Sequence, residues 1–137
     1  MKLEEMVSNK ELSKKLKDLG VPQNSLWCWV QYIYTKPAHE KHPLYTTEVI
    51  PKHDAMFIDM VQFEISAFTV AELGELLPQY LKSRGFMLTT VKNEKNHWWV
   101  GYTDHLGKAH CSEREKTEAD ARAAMLVYLL ENGLVKA

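Results

Sequence analysis

The sequence lacks the short motifs that mark many catalytic and phosphate-binding sites. It contains no Gly-x-Gly-x-x-Gly, no Walker-type loop and no Gly-x-Ser-x-Gly, which argues against dinucleotide-binding, P-loop and α/β-hydrolase proteins. No stretch approaches the roughly 20 consecutive apolar residues of a membrane-spanning helix. The opening segment, Met1-Lys-Leu-Glu-Glu-Met6, has no apolar region typical of a signal peptide. We therefore expect a cytoplasmic protein with no membrane partner.

An excess of charge of one sign is also missing. The chain has 17 basic and 18 acidic residues and a formal net charge of −1, so its overall charge favours neither nucleic acid nor an anionic membrane as partner. Its two cysteines, Cys28 and Cys111, are far apart and neither lies in a Cys-x-x-Cys pair. Two buried free thiols are the expectation in a reducing compartment. A length of 137 residues with six glycines and five prolines predicts one domain over residues 1–137.

The first half of the chain predicts one helix and two strands. Ser8 and Glu11 have the spacing of a capping box, and the leucines that follow recur at helical intervals, which predicts a helix over 8–19. Residues 26–34 and 57–65 are rich in aromatic and β-branched side chains and predict strands. Between them, residues 35–52 contain three prolines and predict a long loop.

The second half predicts an α-β-β-β-α unit over 69–134. Thr69 and Thr117 each precede a helical segment, and the spacing of Phe68 and Leu73 is that of a hydrophobic staple. Two alternatives remain at Pro78. Either this proline ends the first helix, or it lies in the first turn of a second, short helix over 79–83. Three strands, 86–92, 97–103 and 109–114, are separated by turns at 93–96 and 104–108. The fold class is therefore α+β, with an antiparallel or mixed sheet of about five strands and helices mainly on one face.

Two groups of histidines are candidates for metal binding or catalysis. His39, His42 and His53 lie in the proline-bearing segment, whose irregular backbone imposes no convergent geometry. His105, His110 and Cys111 lie near the last hairpin, but neighbouring strand residues such as His110 and Cys111 point to opposite faces. Asp59 and Glu64 have opposite strand parity and form no carboxylate pair. The sequence thus predicts no catalytic residue, metal or cofactor, and argues against an enzyme.

Four tryptophans, Trp27, Trp29, Trp98 and Trp99, are the most promising binding residues. Trp98 and Trp99 are neighbours on one predicted strand, so one of them points away from the helices. An outward indole suits a dimer interface, a protein partner or a base-stacking platform. Core packing is the simpler explanation for at least two of the four.

Nucleic-acid binding is the alternative function, because the order of elements from Thr69 onwards resembles that of a double-stranded-RNA-binding domain. That family places lysines at the start of its last helix, where they hold phosphates. Here Glu118 and Asp120 occupy those positions and would repel phosphate. The strand face could still bind nucleic acid through Trp98 and Trp99 with the basic residues Lys82, Arg84, Lys92, Lys95, Lys108 and Arg114.

Several segments carry a resemblance to one family. They are Ser13-Lys-Lys-Leu-Lys-Asp-Leu-Gly-Val-Pro-Gln23, Thr69-Val-Ala-Glu-Leu-Gly-Glu-Leu-Leu-Pro78, His97-Trp-Trp-Val100 and the stretch from Glu118 to Gly133. In that order they are similar to a group of small uncharacterised proteins encoded in bacterial phages, prophages and other mobile elements. The resemblance covers most of the chain outside residues 35–55. It implies an intracellular accessory protein and transfers no site residue, because the family has no established activity.

The leading hypothesis is therefore a non-enzymatic binding or accessory protein of phage or mobile-element origin. Its partner is a second copy of the chain, another protein or a nucleic acid.

Overall fold

The computed structural model describes residues 2–34, 44–55, 61–82 and 85–137. The helices are α1 (Leu3–Met6), α2 (Lys10–Asp18), α3 (Lys52–Ala55), α4 (Val70–Leu76) and α5 (Glu118–Glu131). The strands are β1 (Trp27–Tyr34), β2 (Leu44–Pro51), β3 (Val61–Ser66), β4 (Tyr80–Leu81), β5 (Phe86–Lys92), β6 (Trp98–Thr103) and β7 (Ala109–Glu115). The α+β class is confirmed, as are the three strands of the C-terminal unit. None of the helices within the described ranges is long and apolar enough to cross a membrane.

The strands form two antiparallel sheets, where the sequence predicted one sheet of about five strands. One sheet has the order β2-β1-β3 and the other the order β4-β5-β6-β7. Because β2 and β3 occupy both edges of β1, no edge of this central strand is left for β5, β6 or β7. Helix α5 packs on β6 and β7, and α2 and α4 pack against α5. The helices therefore cover one face of the four-stranded sheet.

Residues 44–51 correct the prediction of a continuous loop over 35–52. They form β2, which pairs with β1 from Leu44 opposite Tyr34 to Pro51 opposite Trp27. β2 is an edge strand of its sheet, and Pro51 is its last residue, a position where the missing N–H of proline costs no ladder hydrogen bond. Residues 35–43 lie outside the described ranges.

Two further boundaries differ from prediction. The strand expected over 57–65 is described from Val61 to Ser66, with residues 57–60 outside the described ranges. The alternative of a short helix over 79–83 is wrong: Tyr80 and Leu81 instead pair with Met87 and Phe86 as a two-residue strand.

Helix α2 is capped by Asn9, whereas the sequence predicted Ser8. The side chain of Asn9 accepts a hydrogen bond from the N–H of Leu12 at 2.8 Å. The backbone N–H of Asn9 donates to Oδ1 of Asp120 at 2.7 Å, which joins the start of α2 to the first turn of α5. Asparagine and serine cap equally well, so the sequence alone does not distinguish them.

Ser8 instead joins three parts of the chain inside the protein. Its Oγ accepts the N–H of Phe68 at 3.0 Å and lies 2.7 Å from Oγ of Ser13. Its carbonyl accepts the indole N–H of Trp29 at 2.8 Å and the hydroxyl of Ser13 at 3.1 Å. Both serines are fully buried, and mutual hydrogen bonding is what makes buried hydroxyls tolerable.

Helices α4 and α5, at the two ends of the C-terminal unit, begin as the sequence predicts. Thr69 and Glu72 form a reciprocal capping box at the start of α4. Thr117 accepts the N–H of Asp120 at the start of α5. Phe68 and Leu73, the predicted staple, are both buried in the same cluster.

The main core contains residues from both halves of the chain. Leu16 of α2 and Leu73 of α4 pack with Val100 and Tyr102 of β6, and with apolar side chains of α5 such as Met125. A smaller cluster of Val7, Val49 and Ala67 lies against the N-terminal sheet, where Trp27 and Trp29 pack on it. Trp27 and Trp29 therefore pack against a buried cluster. Core packing was the simpler explanation from the sequence for at least two of the four tryptophans.

Candidate functional site

Strand β6 carries two sets of side chains that face opposite sides of the four-stranded sheet. Val100 and Tyr102 are fully buried beneath the helices, and Trp98, of the same parity, packs against the main core. Trp99 and Gly101 have the other parity and face the side without helices. The prediction that Trp98 and Trp99 point to opposite faces is confirmed.

A cavity of about 480 Å³ opens beside Trp98. It lies where α1, the start of α4, the β5–β6 hairpin and the start of α5 meet. We call it the Trp98 cavity. The side chains that characterise it are the apolar Met6, Val70, Ala71 and Trp98 and the basic Lys92 and Lys116.

Two lysines and two carboxylates surround the Trp98 cavity. Lys92 pairs with Trp98 across the hairpin, and its ammonium lies 5.8 Å from the indole centroid, a distance typical of a cation–π contact. Glu118 is held by Arg122, whose Nη2 is 3.1 Å from Oε1. Glu5 accepts the backbone N–H of Lys2 at 3.1 Å. In the part of the chain that the structure describes, neither Lys92 nor Lys116 forms an ion pair.

The side of the four-stranded sheet without helices, here called the open face, is partly apolar. In one cross-strand row Trp99 lies between Val91 of β5 and Arg114 of β7. Val91 is 49% exposed and Met87 48%. The indole of Trp99 covers Gly101: a Cβ at that glycine would lie 2.5 Å from Cη2 of the ring. Trp99 is consequently half-buried within a single chain.

The structure divides the predicted binding residues among several places. Trp98 and Lys92 meet at the Trp98 cavity, and Trp99 and Arg114 meet on the open face. The turns that hold Lys95 and Lys108 lie at opposite ends of β6. The ammonium of Lys82 lies 5.7 Å from the ring centroid of Phe86, and Arg84 is outside the described residues. No single basic surface forms from the members of this set that the structure describes.

Of the six side chains that characterise the Trp98 cavity, sequence reasoning had named Trp98 and Lys92 as binding residues and missed the other four. Lys116 had a weak signal, because it directly precedes the cap of α5. Met6, Val70 and Ala71 had none, since they come from short helical segments whose packing is tertiary.

Of the two histidine groups considered for metal binding or catalysis, the group of His105, His110 and Cys111 lies wholly within the described residues. His39 and His42 lie outside the described residues, and His53 is exposed. Within the described ranges no three His, Cys, Asp or Glu side chains are placed to hold a metal ion. A bulge in the β6–β7 pairing leaves His110 between the paired residues Ala109 and Cys111, and its ring stacks on Phe86 at 4.8 Å. The bulge interrupts the strict alternation assumed for His110 and Cys111.

Both cysteines are buried free thiols, as the sequence predicted. Burial, reinforced by the carboxylate of Glu64, raises the pKa of Cys28 to about 11. Burial also raises the pKa of Cys111. Because the thiolate is the reactive form, neither side chain is suited to nucleophilic chemistry at neutral pH.

We expect both thiols to be unreactive toward Ellman's reagent in the folded protein at about pH 8. After unfolding in guanidinium, two equivalents per chain should react. The measurement is the absorbance of the released thionitrobenzoate. Rapid reaction of either cysteine in the folded protein would contradict the burial described here.

Carboxylates on the helix-facing side of β7 lie close to those of α5. Burial, followed by the charge of Glu131, raises the pKa of Glu113. Burial, followed by the charges of Asp120 and Glu113, raises the pKa of Glu115. A raised carboxyl pKa means that the folded state binds the proton more tightly than the unfolded state, so this contribution to stability increases as pH falls.

The E113Q/E115Q double variant should therefore be more stable than the parent at pH 7. The gain should fade as pH falls through the raised pKa values, because the parent then becomes protonated at the same positions. We expect a gain under about 1 kcal/mol, since water screens these half-buried charges. Urea unfolding of the parent and the double variant, from pH 7 down through the raised pKa values of the two carboxyls, measures the gain in the free energy of unfolding. E94Q, in the exposed β5–β6 turn, is the control and should show no such gain.

Comparisons of the chain with protein-family models, with curated proteins and with solved structures find no match.

Proposed function

We propose that this chain is a non-enzymatic binding protein whose ligand occupies the Trp98 cavity. The observation that carries the proposal is the cavity, about 480 Å³ in volume, with apolar side chains and two lysines that form no ion pair with any residue the structure describes. Sites for small molecules are typically concave, mostly apolar and of roughly 300–1,000 Å³, with a few polar groups that orient the ligand. The resemblance to small phage and mobile-element proteins supports an accessory role, in which binding is the activity.

The placement of Ala71 offers a test that leaves the core intact. Ala71 is exposed on α4 and lines the Trp98 cavity, so A71W should fill the space, whereas A71S keeps it open. A library of small aromatic and aliphatic compounds is screened by NMR against the indole N–H resonance of Trp98, which is identified by its loss in W98F. We expect a subset of compounds to shift this resonance in the parent and in A71S, and not in A71W.

Two results would overturn the proposal. One is a library that leaves the Trp98 resonance unmoved at millimolar concentration. The other is binding that persists unchanged in A71W, which would place the ligand elsewhere. Unfolding midpoints of the two Ala71 variants establish that both are folded.

A second candidate function is nucleic-acid binding through the open face. The observation that favours it is the direct pairing of Trp99 with Arg114, which puts a stacking surface beside a cation as in proteins that bind single strands. Fluorescence anisotropy with labelled single- and double-stranded oligonucleotides tests it. Binding should weaken steeply with salt and several-fold in R114Q, while K14Q, at an exposed position of α2, serves as control. Absence of binding to both kinds of oligonucleotide at low salt removes this candidate.

A further inference from the structure

The charges around the Trp98 cavity are not balanced. Of its carboxylates, Glu118 is neutralised by the guanidinium of Arg122, which leaves Glu5 as the acidic side chain without a cationic partner among the cavity residues. Lys92 and Lys116 both remain without an ion pair in the described ranges. The cavity therefore carries an excess positive charge next to its apolar wall.

The apolar wall favours a flat hydrophobic group. Trp98 offers the part of its indole that the core leaves uncovered, and Met6, Val70 and Ala71 extend the same surface. Aromatic rings pack well against an indole in offset geometry. An anionic group on such a ring would meet an ammonium at the cavity, and contacts between ammonium and carboxylate or phosphate oxygens are among the stronger hydrogen bonds.

We infer that the Trp98 cavity binds a small amphipathic anion, with an aromatic or similarly flat apolar body against Trp98 and an anionic oxygen group at Lys92 and Lys116. This inference rests on the proposed function and adds the charge class of the ligand. Lys92 acts both on the anion and on the indole, because its ammonium already lies over the Trp98 ring.

A set of four probes with one ring system tests the inference. The probes are 2-naphthoate and 2-naphthyl phosphate as anions, 2-naphthamide as the neutral analogue and 2-naphthylmethylamine as the cation. Dissociation constants come from NMR titration of the Trp98 indole resonance. We expect both anions to bind at least about tenfold more tightly than the amide, and the amine to bind most weakly. The two anions then show which oxygen group is preferred.

Variants identify the groups responsible. In K92Q/K116Q the preference for 2-naphthoate over 2-naphthamide should disappear, while the affinity for the amide changes little. E5Q should shift the preference the other way, toward the anions, because it removes the uncompensated carboxylate. K108Q, which removes the same charge at the far end of the sheet, should leave the ratio unchanged. The ratio is measured within one variant, so a general loss of stability does not alter it.

The outcomes separate the inference from the proposed function. If the amide binds as tightly as the anions, or if the preference survives in K92Q/K116Q, the cavity binds ligands but does not select anions, and the inference is wrong. If none of the four probes moves the Trp98 resonance, the inference fails outright. The broader library with A71W then decides the proposed function independently.

Discussion

Replacement of Gly101 by alanine should destabilise the protein by about 3 kcal/mol, through overpacking. The added Cβ would lie 2.5 Å from Cη2 of Trp99 and 2.8 Å from the carbonyl oxygen of Cys111. The indole can swing away, but the carbonyl belongs to the neighbouring strand β7 and moves only with the sheet. Chemical unfolding, followed by circular dichroism, measures the loss, and Trp99 should report its displacement by an altered indole resonance.

The same substitution at Gly74 is the matched control and should not destabilise the protein. Gly74 lies inside α4, where alanine is favoured over glycine by about 1 kcal/mol. Its added Cβ would meet only Nη1 of Arg122, at 3.0 Å, the end of a flexible side chain. G74A should thus be neutral or stabilising. In a double-mutant cycle, W99A should relieve only part of the G101A cost, because the contact with the Cys111 carbonyl remains. If W99A relieved the whole cost of G101A, the added Cβ would not be crowded by the Cys111 carbonyl of β7.

Replacement of Ser8 by alanine should cost about 2–4 kcal/mol, because it leaves two buried polar groups with fewer partners. The N–H of Phe68 loses its acceptor, and the hydroxyl of Ser13 loses the nearer of its two contacts. No water reaches either serine, since both are fully buried. The measurement is the free energy of unfolding in urea.

Two serine variants calibrate the effect of S8A. S13A should cost less than S8A, about 1 kcal/mol, because Oγ of Ser8 then still accepts the N–H of Phe68. S112A, at an exposed position of β7, should lie within about 0.5 kcal/mol of the parent. Equal costs for S8A and S13A would mean that the Phe68 N–H finds another acceptor.

Local signals were sufficient for most of the secondary structure. The caps at Thr69 and Thr117 and the turns at 93–96 and 104–108 are properties of a few neighbouring residues, and the elements that they delimit lie close to the predicted bounds. Strand β2 was missed because proline is a strong loop signal, while its tolerance at the end of an edge strand depends on the position of the strand in the sheet. The cap of α2 was misassigned because the partners of Ser8, such as Phe68, are remote in sequence.

The candidate site was predictable only in part. Strand parity separates Trp98 from Trp99, but the predicted turn over 93–96 would set Lys92 opposite His97, whereas the structure pairs Lys92 with Trp98. The Trp98 cavity also needs the starts of α4 and α5 and the short helix α1 to meet at one point. That meeting depends on the packing of the main core and has no signature in residue spacing.

The hydrogen bond from the Asn9 N–H to Asp120 joins residues that are 111 positions apart. On the ribosome, α2 is made long before α5, although the apolar side of α2 packs in a core that α5 supplies. Contacts of such long range also tend to form slowly. The nascent chain therefore carries an uncovered apolar helix until α5 has been made, and a chain stalled before residue 118 should require a chaperone to stay unaggregated.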